Sequence, residues 1–294
     1  MTFTKILCPI DFSSDSQQAM RVAIRLANEA NAELVLTHAW YLPAISYAGE
    51  YTFSPEVIQQ MTDDAERGLD EATREATTLG AGRVTSKLLA GVPWQQIVET
   101  LEQDRAFDLV VMGTRGRTGL SRILLGSVAQ DVIRHAPCSV LAVHPGNEPT
   151  PLYRVLCPVD FSAGSQYAVD LAAGLTQPGG AGITLAHVIE LPVAYAGEPF
   201  VPEFARDLDK ASAKLLDEWA ARLRSKVLVP VVTRTRIGSP GAQTLAILDD
   251  DPTFDLVVMG SHGRTGIPRM LLGSVAEKVV RHAKCPVLVA RKRG

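Results

Sequence analysis

Short apolar runs and helix-spaced segments alternate along the chain. Lys5–Ile10 (KILCPI) is apolar and β-branched and stops at Asp11. Ser13–Ala30 follows with Ala19, Val22, Ala23 and Leu26 at the three-and-four spacing of one helix face, and its opening serine can cap it. Glu33–Trp40 (ELVLTHAW) predicts a second strand, after which comes a loop holding proline and tyrosine. Met61–Leu79 predicts an amphipathic helix and Val84–Ala90 a third strand. Gly91-Val92-Pro93 then opens a helix to about Gln103, proline standing near the first helical position, where a missing N–H costs nothing. Phe107–Gly113 predicts strand four, Ser127–His135 the last helix and Ser139–His144 strand five. Strands apolar at nearly every position, separated by helices, predict a parallel sheet covered on both faces. Ligands of such sheets lie at the carboxyl ends of the strands, where the strand order reverses. Attention therefore falls on the residues just after strands one and four.

Those residues occur twice. Phe107–His135 and Phe254–His282 are identical at 21 of 29 positions at a constant offset of 147. Ile6–Ser13 (ILCPIDFS) returns as Val155–Ser162 (VLCPVDFS), and the loop string YAGE at Tyr47–Glu50 returns at Tyr195–Glu198. A period this long exceeds that of a solenoid unit, roughly 20–50 residues. The expectation is a duplicated domain, copy one spanning 1–146 and copy two 147–294, joined by the short polar, proline-rich His144–Pro151.

Composition narrows the class. Of 294 residues 46% are hydrophobic, which excludes a disordered chain, and 23 Gly with 18 Pro exclude a collagen-like one. No stretch approaches the roughly 18 apolar residues of a membrane span, so no membrane partner is expected. The first residues lack the basic start and long apolar run of a signal peptide. Four Cys are too few for a disulfide framework, which predicts reduced thiols and a cytoplasmic protein. Net charge is −3, divided as −5 over residues 1–146 and +2 over the rest, where Arg291, Lys292 and Arg293 form a basic tail. That is no nucleic-acid field, and no nucleic-acid partner is expected.

The motif after strand four carries the chemistry. Gly113-x-x-Gly116, nine residues, then Gly126-Ser127 opens a helix; copy two has Gly260-x-x-Gly263, nine residues, Gly273-Ser274. Glycine lets backbone approach an anion without a Cβ in the way, and a helix start offers unpaired N–H groups and a positive dipole end. Arg115, Arg117 and Arg122 add positive charge. A lone Gly-x-x-Gly merely shapes a turn; one that follows a buried strand, opens a helix and recurs at identical spacing predicts a nucleotide-phosphate site. It is neither a Walker loop nor the dinucleotide fingerprint. Ser127 could donate to phosphate or cap the helix. Asp11 and Asp160 could cap the following helix or meet a nucleotide or its metal, whereas Asp108 and Asp255, at the far end of strand four, read as structural.

Gly-x-x-Gly-(nine residues)-Gly-Ser, after VVMG and before SVAxxVxRHAxCxVL, resembles the ATP-binding motif of the universal stress proteins. The opening CPxDFS and a strand ending His-Ala or His-Val belong to the same pattern, and the resemblance covers nearly the whole chain twice, as in tandem members. It implies a Rossmann-like α/β fold: a five-stranded parallel sheet, order 3-2-1-4-5, with ATP, and Mg²⁺ with it, at the switch point. In copy one it places Pro9, Ile10 and Asp11 beside base and ribose and Ala39 at the adenine. Met112, Gly113, Arg115, Gly116, Gly126, Ser127 and Val128 would surround ribose and phosphates. In copy two the matching positions are Pro158, Val159, Asp160, Val188, Met259, Gly260, His262, Gly263, Gly273, Ser274 and Val275. Asp11 and Asp160 are the candidate metal contacts. Copy two departs at His262 for Arg115 and at Pro268 for Ser121; a neutral imidazole attracts phosphate less than a guanidinium does, so weaker triphosphate binding is expected there.

The resemblance implies an ATP-binding regulator of the cytoplasmic stress response. It would act through nucleotide-dependent shape or assembly on an unknown protein partner, its copies paired as a pseudo-dimer by their final strands and the whole chain open to homodimerisation. The rivals are a slow ATPase or phosphotransferase using the same pocket, and a binder of another adenine nucleotide such as AMP or a cyclic nucleotide. No His-x-x-x-His or Cys-x-x-Cys spacing supports zinc, and the four Cys read as buried apolar residues. No Glu or His stands near both glycine loops to activate water. His-x-Gly-His and Ser-Gly-Gly-x-Asp-Ser, strings of related transferases and pyrophosphatases, are absent. At most, slow ATP hydrolysis is expected.

Overall fold

The structure is a computed structural model, and it describes residues 3–41, 54–116, 125–146, 154–176, 179–190, 201–263 and 272–293, side chains within 201–205 excepted. The chain divides into two compact units, Phe3–Pro149 and Thr150–Gly294.

In the first unit β1 (Lys5–Pro9), α1 (Ser14–Ala30), β2 (Glu33–Trp40), α2 (Pro55–Thr78), β3 (Val84–Ala90), α3 (Pro93–Gln103), β4 (Leu109–Gly113), α4 (Ser127–His135) and β5 (Ser139–Val143) alternate strictly. The strands pair in parallel in the order β3-β2-β1-β4-β5, with Cys8 opposite Leu36, Leu7 opposite Val110 and Met112 opposite Ala142. The second unit repeats this with β6 (Arg154–Pro158), α5 (Ala163–Leu175), β7 (Gly182–Ile189), α6 (Val201–Arg224), β8 (Val231–Ile237), α7 (Pro240–Asp250), β9 (Leu256–Gly260), α8 (Ser274–His282) and β10 (Val287–Ala290). Its order is β8-β7-β6-β9-β10, again parallel throughout. This is the doubly wound, Rossmann-like sheet with order 3-2-1-4-5, present twice.

Burial explains the pattern. β4 and β9 are buried from Leu109 to Met112 and from Leu256 to Met259, as central strands covered on both faces must be. At the outer ends of the orders above, β3 exposes four of its seven side chains and β8 buries only Val231. Asp108 accepts from the Thr4 amide at 2.7 Å and its hydroxyl at 2.9 Å, and Asp255 accepts from the Arg154 amide at 3.1 Å. Both aspartates thus tie the start of the first strand to the fourth, at the end of the sheet opposite the glycine motif. All four Cys are free and buried.

Candidate functional site

In each unit the chain leaves the first strand through a strained corner. Phe12 has φ 64° and Phe161 φ 65°, the left-handed region, which a bulky L residue adopts only when its surroundings hold it there. The holding contacts are visible. Asp11 Oδ1 accepts from the Ser13 amide at 3.1 Å and from its hydroxyl at 2.5 Å, and the Ser13 hydroxyl in turn accepts from the Ser16 amide at 3.2 Å. Asp160, Ser162 and Ser165 repeat the chain, Asp160 Oδ1 taking the Ser165 hydroxyl as well at 2.5 Å. The caps of α1 and α5 are therefore the serines, and the aspartates orient them. The phenyl rings lie 4.4 and 4.5 Å from the imidazoles of His38 and His187, whose Nδ1 atoms sit 2.8 and 2.7 Å from the carbonyls of Ile10 and Val159. Both histidines are thus fixed parts of the strand-one corner.

The three glycines of each motif do different jobs. A Cβ on Gly113 would lie 3.0 Å from the backbone C and O of Asp15, and one on Gly260 2.9 Å from the backbone of Gly164; these glycines let β4 and β9 pass under the neighbouring helix. A Cβ on Gly116 would lie 2.8 Å from Asp11 Oδ2, and one on Gly263 2.7 Å from Asp160 Oδ2, so the second carboxylate oxygen of each aspartate faces the glycine loop. Gly126 and Gly273 are the N-caps of α4 and α8, with no side chain to accept from the first turn. Their amides instead donate 2.8 Å back to Thr114 O and Ser261 O, closing the loop at its base. Ser127 and Ser274 are the first helical residues, not the caps. The first-turn N–H groups consequently open onto the cavity at the positive end of the helix dipole. The remainder of the loops, 117–124 and 264–271, with Arg117, Arg122, Ser121 and Pro268, lies outside the described residues, as do both YAGE strings.

The polar groups around the two cradles differ in a correlated way. Arg115 Nε stands 3.3 Å from Asp15 Oδ2, so the expected phosphate cation is paired. Burial pushes the Asp15 carboxyl above its usual range, Arg115 pulls it down, and Asp11 adds to the rise. In copy two, at the places of Asp15 and Arg115, stand Gly164 and His262, and a Cβ on Gly164 would come within 3.1 Å of the His262 carbonyl. His262 Nδ1 lies 3.0 Å from the Ser261 hydroxyl, and its Nε2 is buried with no hydrogen-bond partner among the described residues. Burial, with the Arg291 charge adding to it, lowers its pKa below 6.5, so the imidazole is neutral at pH 7.

Each unit holds a cavity at the carboxyl ends of its central strands. In copy one it measures ≈ 290 Å³, and all eleven sequence-predicted positions line it: Pro9 at the end of β1 with Ile10 and Asp11 after it, Ala39 on β2, Met112 to Gly116 at the β4 exit, and Gly126 to Val128 at α4. Copy two encloses ≈ 930 Å³, lined by Pro158, Val159, Asp160, Val188, Met259, Gly260, His262, Gly263, Gly273, Ser274 and Val275 among others. The sequence reading missed Ser16, Thr37, Pro93 and Ile97 in the first wall and the α6 residues Leu208, Ala211, Ser212 and Leu215 in the second. The proline at each third-helix start was a readable signal; the α6 residues gave none. Among the described residues no three His, Cys, Asp or Glu side chains gather as a metal site. A metal here would have one carboxylate, Asp11 or Asp160, and a phosphate ligand for the rest, a donor set that suits Mg²⁺.

Two doubly wound, Rossmann-like α/β units, each with a glycine-capped helix N-terminus at the switch point of its sheet, define the class of protein. The sequence pattern of the universal stress protein family matches residues 2–144 and 152–291, and the chain belongs to that family in tandem form. It is 27% identical over 296 residues to a universal stress protein of Mycolicibacterium smegmatis, covering 98% of this chain and 97% of that one. A universal stress protein of Methanocaldococcus jannaschii is 38% identical over 143 residues, 48% of this chain and 82% of its own. The crystal structure of a universal stress protein from Archaeoglobus fulgidus superposes with a TM-score of 0.69 at 24% identity, covering 99% of this chain and 98% of that one, which shows the same fold. Among the described residues no helix is long and apolar enough to cross a membrane.

Proposed function

We propose that each copy binds ATP, with Mg²⁺ carried on its phosphates, and that the chain works as a nucleotide-dependent regulator in the stress response. The supporting observation is the bare N-terminus of α4 and of α8: a glycine cap, an amide tied back to the strand exit at 2.8 Å, and first-turn N–H groups facing a cavity. Such a terminus favours an anion by about 0.3–2 kcal/mol through its dipole alone, before any hydrogen bond is counted. The apolar and backbone-lined opposite wall, Ile10 and Ala39 in copy one and Val159 and Val188 in copy two, suits a flat base. The matched histidines that line both cavities, His38 and His187, are held by Nδ1 against the carbonyls of Ile10 and Val159 and packed on Phe12 and Phe161, and no matched Glu lines both, which favours a binding and signalling role over rapid turnover. ATP would order the glycine loop, and a protein partner would read the changed surface.

Isothermal titration of the full chain with Mg-ATP should give two sites, and mass spectrometry of the nucleotide that co-purifies should find ATP. Turnover at several per second would overturn the regulatory reading in favour of an ATPase or phosphotransferase. Preferential retention of AMP or a cyclic nucleotide would overturn the choice of ATP.

A further inference from the structure

The two cavities share a phosphate cradle and differ at the other end. Aligned at the motif offset of 147, Gly68 on α2 corresponds to Leu215 on α6. In copy one the tip of the Phe12 ring abuts Gly68: a Cβ there would stand 2.8–3.2 Å from three ring carbons, Cζ nearest, so only glycine lets the helix come this close. Copy two has a leucine at that place. The Phe161 ring packs edge-on to Trp219 at 5.5 Å, and both Phe161 and Leu215 become walls of the cavity. The gap so opened accounts for an extension bounded by Ile189, Leu208, Ala211 and Leu215, with Leu215 44% exposed to it and to solvent. A second difference points the same way. Thr37 in the first cavity is 1% exposed and its hydroxyl has no partner among the described residues; Ala186 takes its place in the second. The first pocket is small and offers a buried hydroxyl, whereas the second is some three times larger and apolar there.

Resting on the nucleotide reading above, we propose that the copies select different ligands: the first takes an unmodified adenine nucleotide, and the second one that carries an apolar group beyond its base end. Phosphates held at the start of α8 leave the base at the β7 end of the cavity, where the extension begins. A benzyl-sized substituent there would lie among Phe161, Leu208 and Leu215, covering leucine surface that otherwise faces water. In copy one the same substituent would run into the ring of Phe12 seated on α2.

The test compares ATP with N6-benzyl-ATP on the full chain, using Gly126→Val to report the second site alone and Gly273→Val to report the first. The second site should bind N6-benzyl-ATP about tenfold more tightly than ATP, and the first at least tenfold more weakly. Adding Ala211→Trp, on the outer wall of the extension, should bring the second site's ratio of the two affinities to one or below. If the second site binds ATP but discriminates against N6-benzyl-ATP as the first does, the extension takes no such group and the inference fails while the nucleotide reading stands. If the Gly126→Val chain binds neither compound, the nucleotide reading of that site fails with it.

Discussion

Alanine at Gly126 separates a binding glycine from a packing one. Gly126 has φ −62° and ψ 146°, backbone that alanine adopts without strain. The new methyl would lie 3.3 Å from Thr114 O and 3.9 Å from the Gly116 amide nitrogen, within the cradle. A phosphate oxygen accepting from that amide must come to about 2.9 Å of it, and the methyl holds the oxygen off. Losing one hydrogen bond to a charged group costs about 1.5–3 kcal/mol, or about 10- to 100-fold in affinity. Stability should hardly change. Alanine is a poorer N-cap than glycine by about 0.5–1 kcal/mol, and the stiffer unfolded chain returns about as much. Gly113→Ala is the contrast: its methyl would stand 3.0 Å from the Asp15 backbone, which cannot rotate away. Overpacking of that kind costs about 1–3 kcal/mol, a fall of about 3–10 °C in Tm. Calorimetric titration with Mg-ATP should therefore find one of two sites weakened in Gly126→Ala, with a melt within about 2 °C of the parent. Two unchanged sites, or a melt lowered as far as that of Gly113→Ala, would refute the assignment of this glycine to the ligand.

Three further outcomes follow from the polar groups. Asp15→Asn should strengthen ATP binding at the first site about three- to tenfold by releasing Arg115 and removing one nearby negative charge, roughly 1 kcal/mol at the partly exposed position of this pair; titration of the Gly273→Val chain reads it, and weaker binding would show that Asp15 aids the ligand. His262 has a folded pKa below its ordinary 6.5, so its contribution to stability is complete above about 6.5 and is lost as pH falls through the folded value. Bound phosphate favours the imidazolium, so second-site affinity should rise from pH 7.5 to 5.5 while the first stays flat, and equal profiles would exclude His262 from the phosphate environment. Burial pushes the Cys8 and Cys285 thiols up to about 12 and raises Cys157 as well, and Cys138 is buried too, so no native thiol should react with a disulfide reagent at pH 8, and all four should do so in denaturant.

The repeat and the strand–helix alternation were legible because each rests on local residues: β2, β3, α3 and α4 begin and end where the spacing predicts. The apolar spacing predicts the second helix from Met61, whereas it begins at Pro55. Its first turns carry Val57 and Ile58 on an exposed surface, so apolar periodicity against the core starts late; Ser54 and Pro55, a cap and a first-turn proline, were the better signal. The pairing of Arg115 with Asp15 was not legible, since a hundred residues separate them and only the parallel crossover brings α1 over the end of β4. The expectation of a weaker second site, drawn from His262 and Pro268, therefore has a counterweight on its electrostatic side: the acid that neutralises Arg115 is absent there as well.

This pairing of changes bears on whether both sites serve a ligand. Where the copies differ they differ in contacting sets, Asp15 with Arg115 against Gly164 with His262, and Phe12 on Gly68 against Phe161 with Leu215 and Trp219. Each set is a packed solution, not a single loss. Where they agree, packing presses less hard than at Gly113 and Gly260: Gly126 and Gly273 have ordinary φ values, and a methyl there would meet one backbone oxygen at 3.2–3.3 Å, a tight contact that a shift of a few tenths of an ångström relieves, yet both stay bare at the mouth of a helix. A fold needs Gly113 and Gly260 to let a strand pass under a helix. The ligand proposed above would give the other two their reason.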